Sequence, residues 1–392
     1  MKTTKLILAM LFGIAVSACG GGGGTSSSPA ATTTPVNTKL NDTGITASQC
    51  YQAGSDALVA CSSAGAMALS NAQDGMAGRD VATNSNADGK LGFSFTSVTG
   101  GCVQDNVTGL MWEVKTANGD LRDWTKTYTN YSAADLGPTS QYGTATDASG
   151  FVTAVNASNL CGHSEWRLPT ADELQSIVDY SVSSPGPTVD AIWFPNTQGS
   201  AFWSASPWFG GGTSSYIYNA FAVLFNSGAV YDTYGRTDTH FVRLVRAGQS
   251  QTPPRYTLSA DGQEVTDNQT NLIWRRCAEG MVYSGGTCTG TARTFTHEAA
   301  LQRASAQAGS PGIAWRLPNI KELSSIADKS FSPAMAIDPT AFPAMPGNEF
   351  WSASPDVGNS LNAWEVFFGD GFVGNYYGRN NTFYVRLVRA SQ

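Results

Sequence analysis

Apolar and polar positions along the chain fall into two series with the same order of elements. Trp166-Arg167-Leu168-Pro169 leads into Thr170-Ala171-Asp172-Glu173-Leu174, and 149 residues later Trp315-Arg316-Leu317-Pro318 leads into Asn319-Ile320-Lys321-Glu322-Leu323. In each copy the pattern predicts an extended run stopped by proline, then a helix with Thr170 or Asn319 as N-cap and Glu173 or Glu322 at the third position, a capping box. Leu174, Ile177 and Val178 in the first copy, and Leu323, Ser324, Ile326 and Ala327 in the second, give each helix one apolar stripe. Both helices are expected to be short and to face a core. Glu173 and Glu322 read as structural, because a capping carboxylate already serves the N-cap amide.

Other patterns repeat on either side. Asp105 to Trp112 and Asp267 to Trp274 each predict a tight turn followed by a short apolar strand. After the helix, Phe202-Trp203-Ser204-Ala205-Ser206-Pro207 matches Phe350-Trp351-Ser352-Ala353-Ser354-Pro355. Hairpins follow, with Phe221 to Phe225 and Ala229 to Tyr234 around Asn226-Ser227-Gly228, and Glu365 to Phe368 and Phe372 to Tyr377 around Gly369-Asp370-Gly371. Val242-Arg243-Leu244-Val245-Arg246 and Val385-Arg386-Leu387-Val388-Arg389 predict closing strands. Arg243 and Arg386 sit among apolar neighbours and so need a carboxylate or backbone carbonyls if buried. Residues 116 to 160 and 278 to 309 diverge, which predicts surface loops. The domains expected are 102–247 and 256–392, joined by a linker at 248–255.

The chain starts with Lys2, Lys5 and an apolar run from Leu6 to Val16, the pattern of a signal peptide over 1–19. Val16-Ser17-Ala18-Cys19 resembles the lipobox of bacterial lipoproteins, which implies lipidation at Cys19; Gly20 in place of aspartate implies the outer membrane. Residues 20–40, rich in Gly, Ser, Thr and Pro, are expected to be a flexible tether, and 41–101 a lead-in segment. Asn84-Ser85-Asn86-Ala87-Asp88-Gly89 echoes a calcium loop, but Phe95 stands where the bidentate Glu belongs, so a polar turn is the better reading.

With the signal peptide removed, 21 basic residues face 30 acidic ones, a net of −9. That balance argues against nucleic acid as a partner. Residues 102–247 alone carry seven basic and thirteen acidic side chains. The three histidines, His163, His240 and His297, show no ligand spacing and no nucleophile elbow is present, so the sequence implies neither metal, cofactor nor enzyme. Forty-two glycines and few charges suit a β-rich fold with many turns.

Six cysteines remain beside Cys19, an even number in an exported chain, which points to disulfides. The positions matching Cys102 and Cys161 are Glu264 and Ser310, lost together as partners would be. The repeat therefore selects Cys50 with Cys61, Cys102 with Cys161, and Cys277 with Cys288.

The three motifs WRLP-x-x-x-EL, FWSAS and VRLVR, in that order and twice over, resemble the Lcl C-terminal domain family, named from a bacterial collagen-like adhesin. Arg167-Leu168-Pro169-Thr170 is also similar to a segment of formylglycine-generating enzymes. The resemblance implies an α+β chain with two tandem C-type-lectin-like domains, each with short helices and an antiparallel, hairpin-rich β region. It also implies display outside the cell and a role in adhesion. The founding member binds sulfated glycosaminoglycans, which the acidic balance here opposes. The calcium-dependent lectin motifs EPN and WND are missing.

The leading expectation is a non-catalytic surface lipoprotein that binds a glycan or protein. A structural envelope spacer or component of a surface assembly is the alternative, and an enzyme the third class. Trp208, Phe209, Tyr216 and Tyr218, on a Gly-rich loop whose counterpart Pro355 to Ala363 lacks aromatics, are the candidate ligand-stacking residues; burial of the same rings in the core is the other reading.

Overall fold

Three motifs recur in this chain because they hold one another. In the computed structural model, which describes residues 39–77, 92–133, 140–208, 219–247, 254–308, 314–330 and 335–390, Arg167 exchanges backbone hydrogen bonds with Val245 (2.9 and 2.9 Å) and Arg316 with Val388 (3.0 and 3.0 Å). WRLP thus pairs with VRLVR. The carbonyls of Pro169 and Pro318 accept from the Ala205 and Ala353 amides, both at 2.7 Å. Ser206 and Ser354 hydroxyls accept from the first helical amides, Ala171 and Ile320. FWSAS therefore docks onto WRLP, and the ladder shifts register between Trp203 and Pro207, and between Trp351 and Pro355, to free those groups.

The described residues lie in one compact unit, Pro35–Gln392, which contains both copies. The lead-in contributes β1 (Cys50–Tyr51), β2 (Leu58–Val59) and α1 (Ala64–Leu69). The first copy has β3 (Phe95–Val98), β4 (Cys102–Asp105), β5 (Leu110–Glu113), α2 (Ala148–Ala157), α3 (Ala171–Ser176), β6 (Ala201–Pro207), β7 (Asn219–Leu224), β8 (Val230–Gly235) and β9 (Val245–Ala247). The second has β10 (Tyr256–Leu258), β11 (Glu264–Asp267), β12 (Leu272–Arg275), β13 (Met281–Ser284), β14 (Thr287–Gly290), β15 (Thr294–Phe295), α4 (His297–Gln307), α5 (Ile320–Ser325), β16 (Glu349–Pro355), β17 (Ala363–Phe367), β18 (Phe372–Gly374), β19 (Phe383–Tyr384) and β20 (Val388–Ala390). The class is mixed α and β, with few short helices and mostly antiparallel sheets in two tandem copies.

Each copy builds a four-stranded sheet, β3-β4-β5-β9 or β10-β11-β12-β20. The first of these begins at Phe95, ahead of the boundary placed at residue 102. The hairpins of the two copies join in one eight-stranded sheet, β15-β19-β16-β17-β18-β8-β7-β6, through the pair Val373 and Val230. One buried cluster runs through both copies, including Trp112, Leu174, Val223 and Val230 from the first and Trp274, Leu323, Val366 and Val373 from the second.

Two expectations need correction. The closing strands are shorter than drawn: Val242 to Leu244 and Val385 to Leu387 lie outside the ladders, because Arg243 and Arg386 turn inward instead of pairing. The divergent segments are also not loops alone. They end in α2 and α4, capped by Asp147 and Thr296, which cluster with Trp203 and Trp351 respectively on the side of the sheet opposite the shared core.

The disulfides are Cys50–Cys61, Cys102–Cys161 and Cys277–Cys288, the pairs selected by comparing the copies. The lead-in is a strap across both. Ile45 enters the shared core, Tyr51 and Leu69 enter the second copy's outer cluster, and Thr43 accepts the Tyr180 amide at 2.8 Å. Among the described residues no helix is long and apolar enough to cross a membrane. Cys19 and the segment from Asn84 to Gly89 lie outside the described residues.

Candidate functional site

Both capping boxes form as the sequence dictates. The Thr170 and Asn319 side chains accept from the Glu173 and Glu322 amides, and each glutamate returns to the N-cap amide. Sequence reasoning missed the other partner of these carboxylates. Arg167 forks onto Glu173 at 2.7 and 2.6 Å, and Arg316 onto Glu322 at 2.6 and 2.6 Å. Burial would lower the Arg316 pKa, but Glu322 outweighs it and holds the guanidinium above its ordinary value. Bidentate arginine partners and the N-cap amide tie both glutamates into the helix start.

Arg243 and Arg386 are fully buried. Arg243 donates to the Glu113 carbonyl and the Thr197 hydroxyl, both at 2.6 Å, and stands 5.1 Å over the Phe194 ring. Arg386 donates to the carbonyls of Arg275 and Arg276, both at 2.5 Å, and stands 4.7 Å over Phe342. Burial pushes Arg243 down to about 10 and Arg386 down to about 9. A carbonyl and a hydroxyl in the first copy and two carbonyls in the second, not a direct carboxylate pair, hold these charges.

Trp208, the one candidate ligand residue within the described set, is half-buried and packs against the shared core. Phe209, Tyr216 and Tyr218 lie outside the described residues. His297 is buried, its Nε2 2.9 Å from the Ser352 carbonyl, and burial pushes its pKa down to about 3. Among the described residues no three His, Cys, Asp or Glu side chains gather where a metal ion could sit.

Where the copies meet on the helix side of the sheet, a cleft of about 520 Å³ opens. Thr170, Asp172, Glu173 and Ser206 form its first-copy wall, Arg255, Thr270, Ser325 and Ser330 its second-copy wall, and Lys39 of the lead-in closes one side. Thr108 and Thr270, matching positions of the two copies, both line it. The charges present are largely committed: Lys329 pairs with Asp172 across the copies, and Arg255 reaches Asp267 at 3.3 Å and the Ser325 carbonyl at 2.5 Å. Such walls offer hydrogen bonds from hydroxyls and prepaired ions, which suits a polar ligand without strong net charge.

Behind the cleft, the lead-in buries a polar network that local sequence could not reveal. Asp42 accepts from Asn319 at 2.7 Å, and Asp74 accepts from Thr43 at 3.1 Å and from Ser354 at 2.5 Å. Lys321 donates to the carbonyls of Asp42 at 2.6 Å and Ser176 at 2.8 Å, and lies 4.3 Å over Phe93. Burial pushes Lys321 down to about 7, with Asp42 opposing, and pushes the Asp74 carboxyl well up.

No curated protein and no solved structure gives a match to this chain. The profile of the Lcl C-terminal domain matches residues 101–246 and again residues 263–389. With both copies covered and most of the chain accounted for, the protein belongs to the Lcl C-terminal domain family.

Proposed function

We propose that the protein is a non-catalytic, adhesin-like surface protein, anchored by lipid at Cys19 in the bacterial outer membrane, that binds an extracellular glycan or protein. The observation that carries this reading is the cleft between two fused copies of the family domain. The polar residues repeated with the fold, Glu173, Glu322, Arg243 and Arg386, are spent on structure, so what the molecule offers a partner is shaped surface. A C-type-lectin-like fold for each copy belongs to this reading, as does a contribution from the loop of Phe209, Tyr216 and Tyr218.

Glycan-array and cell-binding measurements on the full chain test it. Binding that drops when the exposed cleft residues are blocked in Gln269→Trp or Ser330→Trp, with the melting temperature unchanged, supports the cleft. Fatty-acid labelling lost in Cys19→Ser supports the anchor. A chain that binds nothing in either assay is better read as a rigid spacer, which the continuous eight-stranded sheet would favour.

A further inference from the structure

An antiparallel sheet with one face toward water alternates apolar side chains inward with polar ones outward. At the junction of the two copies the central sheet breaks this rule. Val366, Val373 and Val230 belong to the shared core, so their strand neighbours Phe367 and Phe372 point to the other side, where they meet Tyr231, a ring that also packs against that core. There they remain part-exposed, and Tyr376 is 55% exposed. The covers on that side, α2 and α4, cluster with Trp203 and Trp351 farther out in each copy.

These rings form one shelf. Tyr231 of the first copy lies 5.3 Å from Phe372 and 6.1 Å from Tyr376 of the second, centroid to centroid, and stands edge-on to both, at 75° and 86°. Phe372 and Tyr376 are 5.9 Å apart and within 17° of parallel. Phe372 lies down over Gly374, where a Cβ would come within 2.4 Å of its ring, and Phe367 lies over Gly369 in the same way at 2.3 Å. Neither copy has the shelf alone: Ala229 occupies the first-copy position of Phe372, and Gly374 the second-copy position of Tyr231.

Charge selects the occupant. The cation–ring contacts among the described residues fall on other rings, such as Tyr51, Phe93, Trp315 and Phe342, and none on Tyr231, Phe372 or Tyr376. The Glu365 carboxyl, buried against Gly374, is pushed well above the usual carboxylate range by burial, toward the neutral acid. The surrounding chain is net negative, which repels polyanions. Flat rings edged by phenol hydroxyls match the C–H faces and hydroxyls of uncharged sugars.

We propose that the near-parallel rings of Phe372 and Tyr376, with Tyr231 edge-on at their rim, are a stacking site for a neutral polysaccharide laid across both copies. The proposal rests on the glycan-binding reading above and narrows it.

The test measures retention of the full chain on cellulose, chitin and mannan, with heparin as the sulfated comparator. Binding to at least one neutral polymer is expected, weakened about tenfold or more in Tyr231→Ala/Tyr376→Ala and about threefold or more in Tyr376→Ala alone, the single variant at unchanged melting temperature, and kept in Tyr376→Trp. The single Tyr376→Ala variant, at the most exposed ring, guards against a folding artefact. Neutral binding untouched by the double substitution but lost in Ser330→Trp would overturn the shelf while leaving a glycan-binding protein with its ligand in the cleft. Binding to heparin alone, or to a protein and no neutral polymer, would overturn the shelf as well. Failure to bind any glycan or protein would take both readings down.

Discussion

Lys329 of the second copy donates to the carboxylate of Asp172 on the first copy's motif helix, while the matching helix position in the second copy is Lys321. One sequence position therefore carries opposite charges in the two copies, and each charge is used at the junction. The pair is asymmetric in exposure, with Lys329 at 4% and Asp172 at 44%, so its net worth is limited by solvent screening. A double-mutant cycle with Lys329→Met and Asp172→Asn should give a coupling of about 0.5 to 1 kcal/mol. Zero coupling would mean that Lys329 serves through its stem, which packs by Gly371.

Lys321 predicts a pH dependence above neutrality. Its folded pKa is about 7, against about 10.4 in an unfolded chain. Between these values the unfolded state binds a proton that the folded state does not, so stability should rise with pH at up to about 1.4 kcal/mol per unit. Denaturant melts from neutral to mildly alkaline pH should show that rise in the wild type and lose it in Lys321→Met. Equal slopes would mean that the amine stays charged in its cage of carbonyls.

Asp370 predicts the opposite slope in a lower window. Burial, with the hydrogen-bonded Asp232 alongside, pushes its pKa up to about 7, whereas an unfolded aspartate sits near about 3.9. The folded state holds the extra proton between these values, so stability from this group falls as pH rises through the window. Asp370→Asn should remove the fall and stabilise the protein at about pH 8 by roughly 1 to 3 kcal/mol, leaving it little changed at about pH 4. A variant that tracks the wild type across both conditions would show that burial does not hold Asp370 in its protonated form. The two windows abut near neutrality, so the Lys321 and Asp370 variants test separate limbs of one curve.

What was legible in the sequence was what is local. The Thr170 and Asn319 capping boxes, the Ser-containing hairpin motif and the cysteine pairing follow from short spacings or from comparing one copy with the other. The helix α4 had a readable signal, Thr296 before Glu298 and an alanine-rich run, that was outweighed by divergence from the first copy. Its counterpart α2 contains Ser149, Gly150, Thr153 and Asn156, poor helix formers, and becomes a helix through burial of Phe151 and Val155. The junction was not legible at all. Pairing Val230 with Val373, or bringing Asp74 to Ser354, joins residues far apart in the chain that no local pattern connects.

The last prediction concerns the buried arginines, which occupy equivalent positions in the two copies. Arg243 satisfies the Glu113 carbonyl and the Thr197 hydroxyl from a fully buried position. Arg243→Met keeps much of the volume over Phe194 but leaves both acceptors without their donor. Loss of the charge relieves some desolvation, yet a buried acceptor without a partner costs about 1 to 3 kcal/mol. The net effect should be destabilisation of about 1 to 3 kcal/mol, measured by denaturant melts. Because a single core cluster spans both copies, Arg243→Met and Arg386→Met should each lower one shared transition without splitting off their own half. Two separated transitions in either variant would show that the continuous core does not make the copies fold as a unit, and an unchanged midpoint with lost ligand binding would move the arginine from the fold to the binding surface.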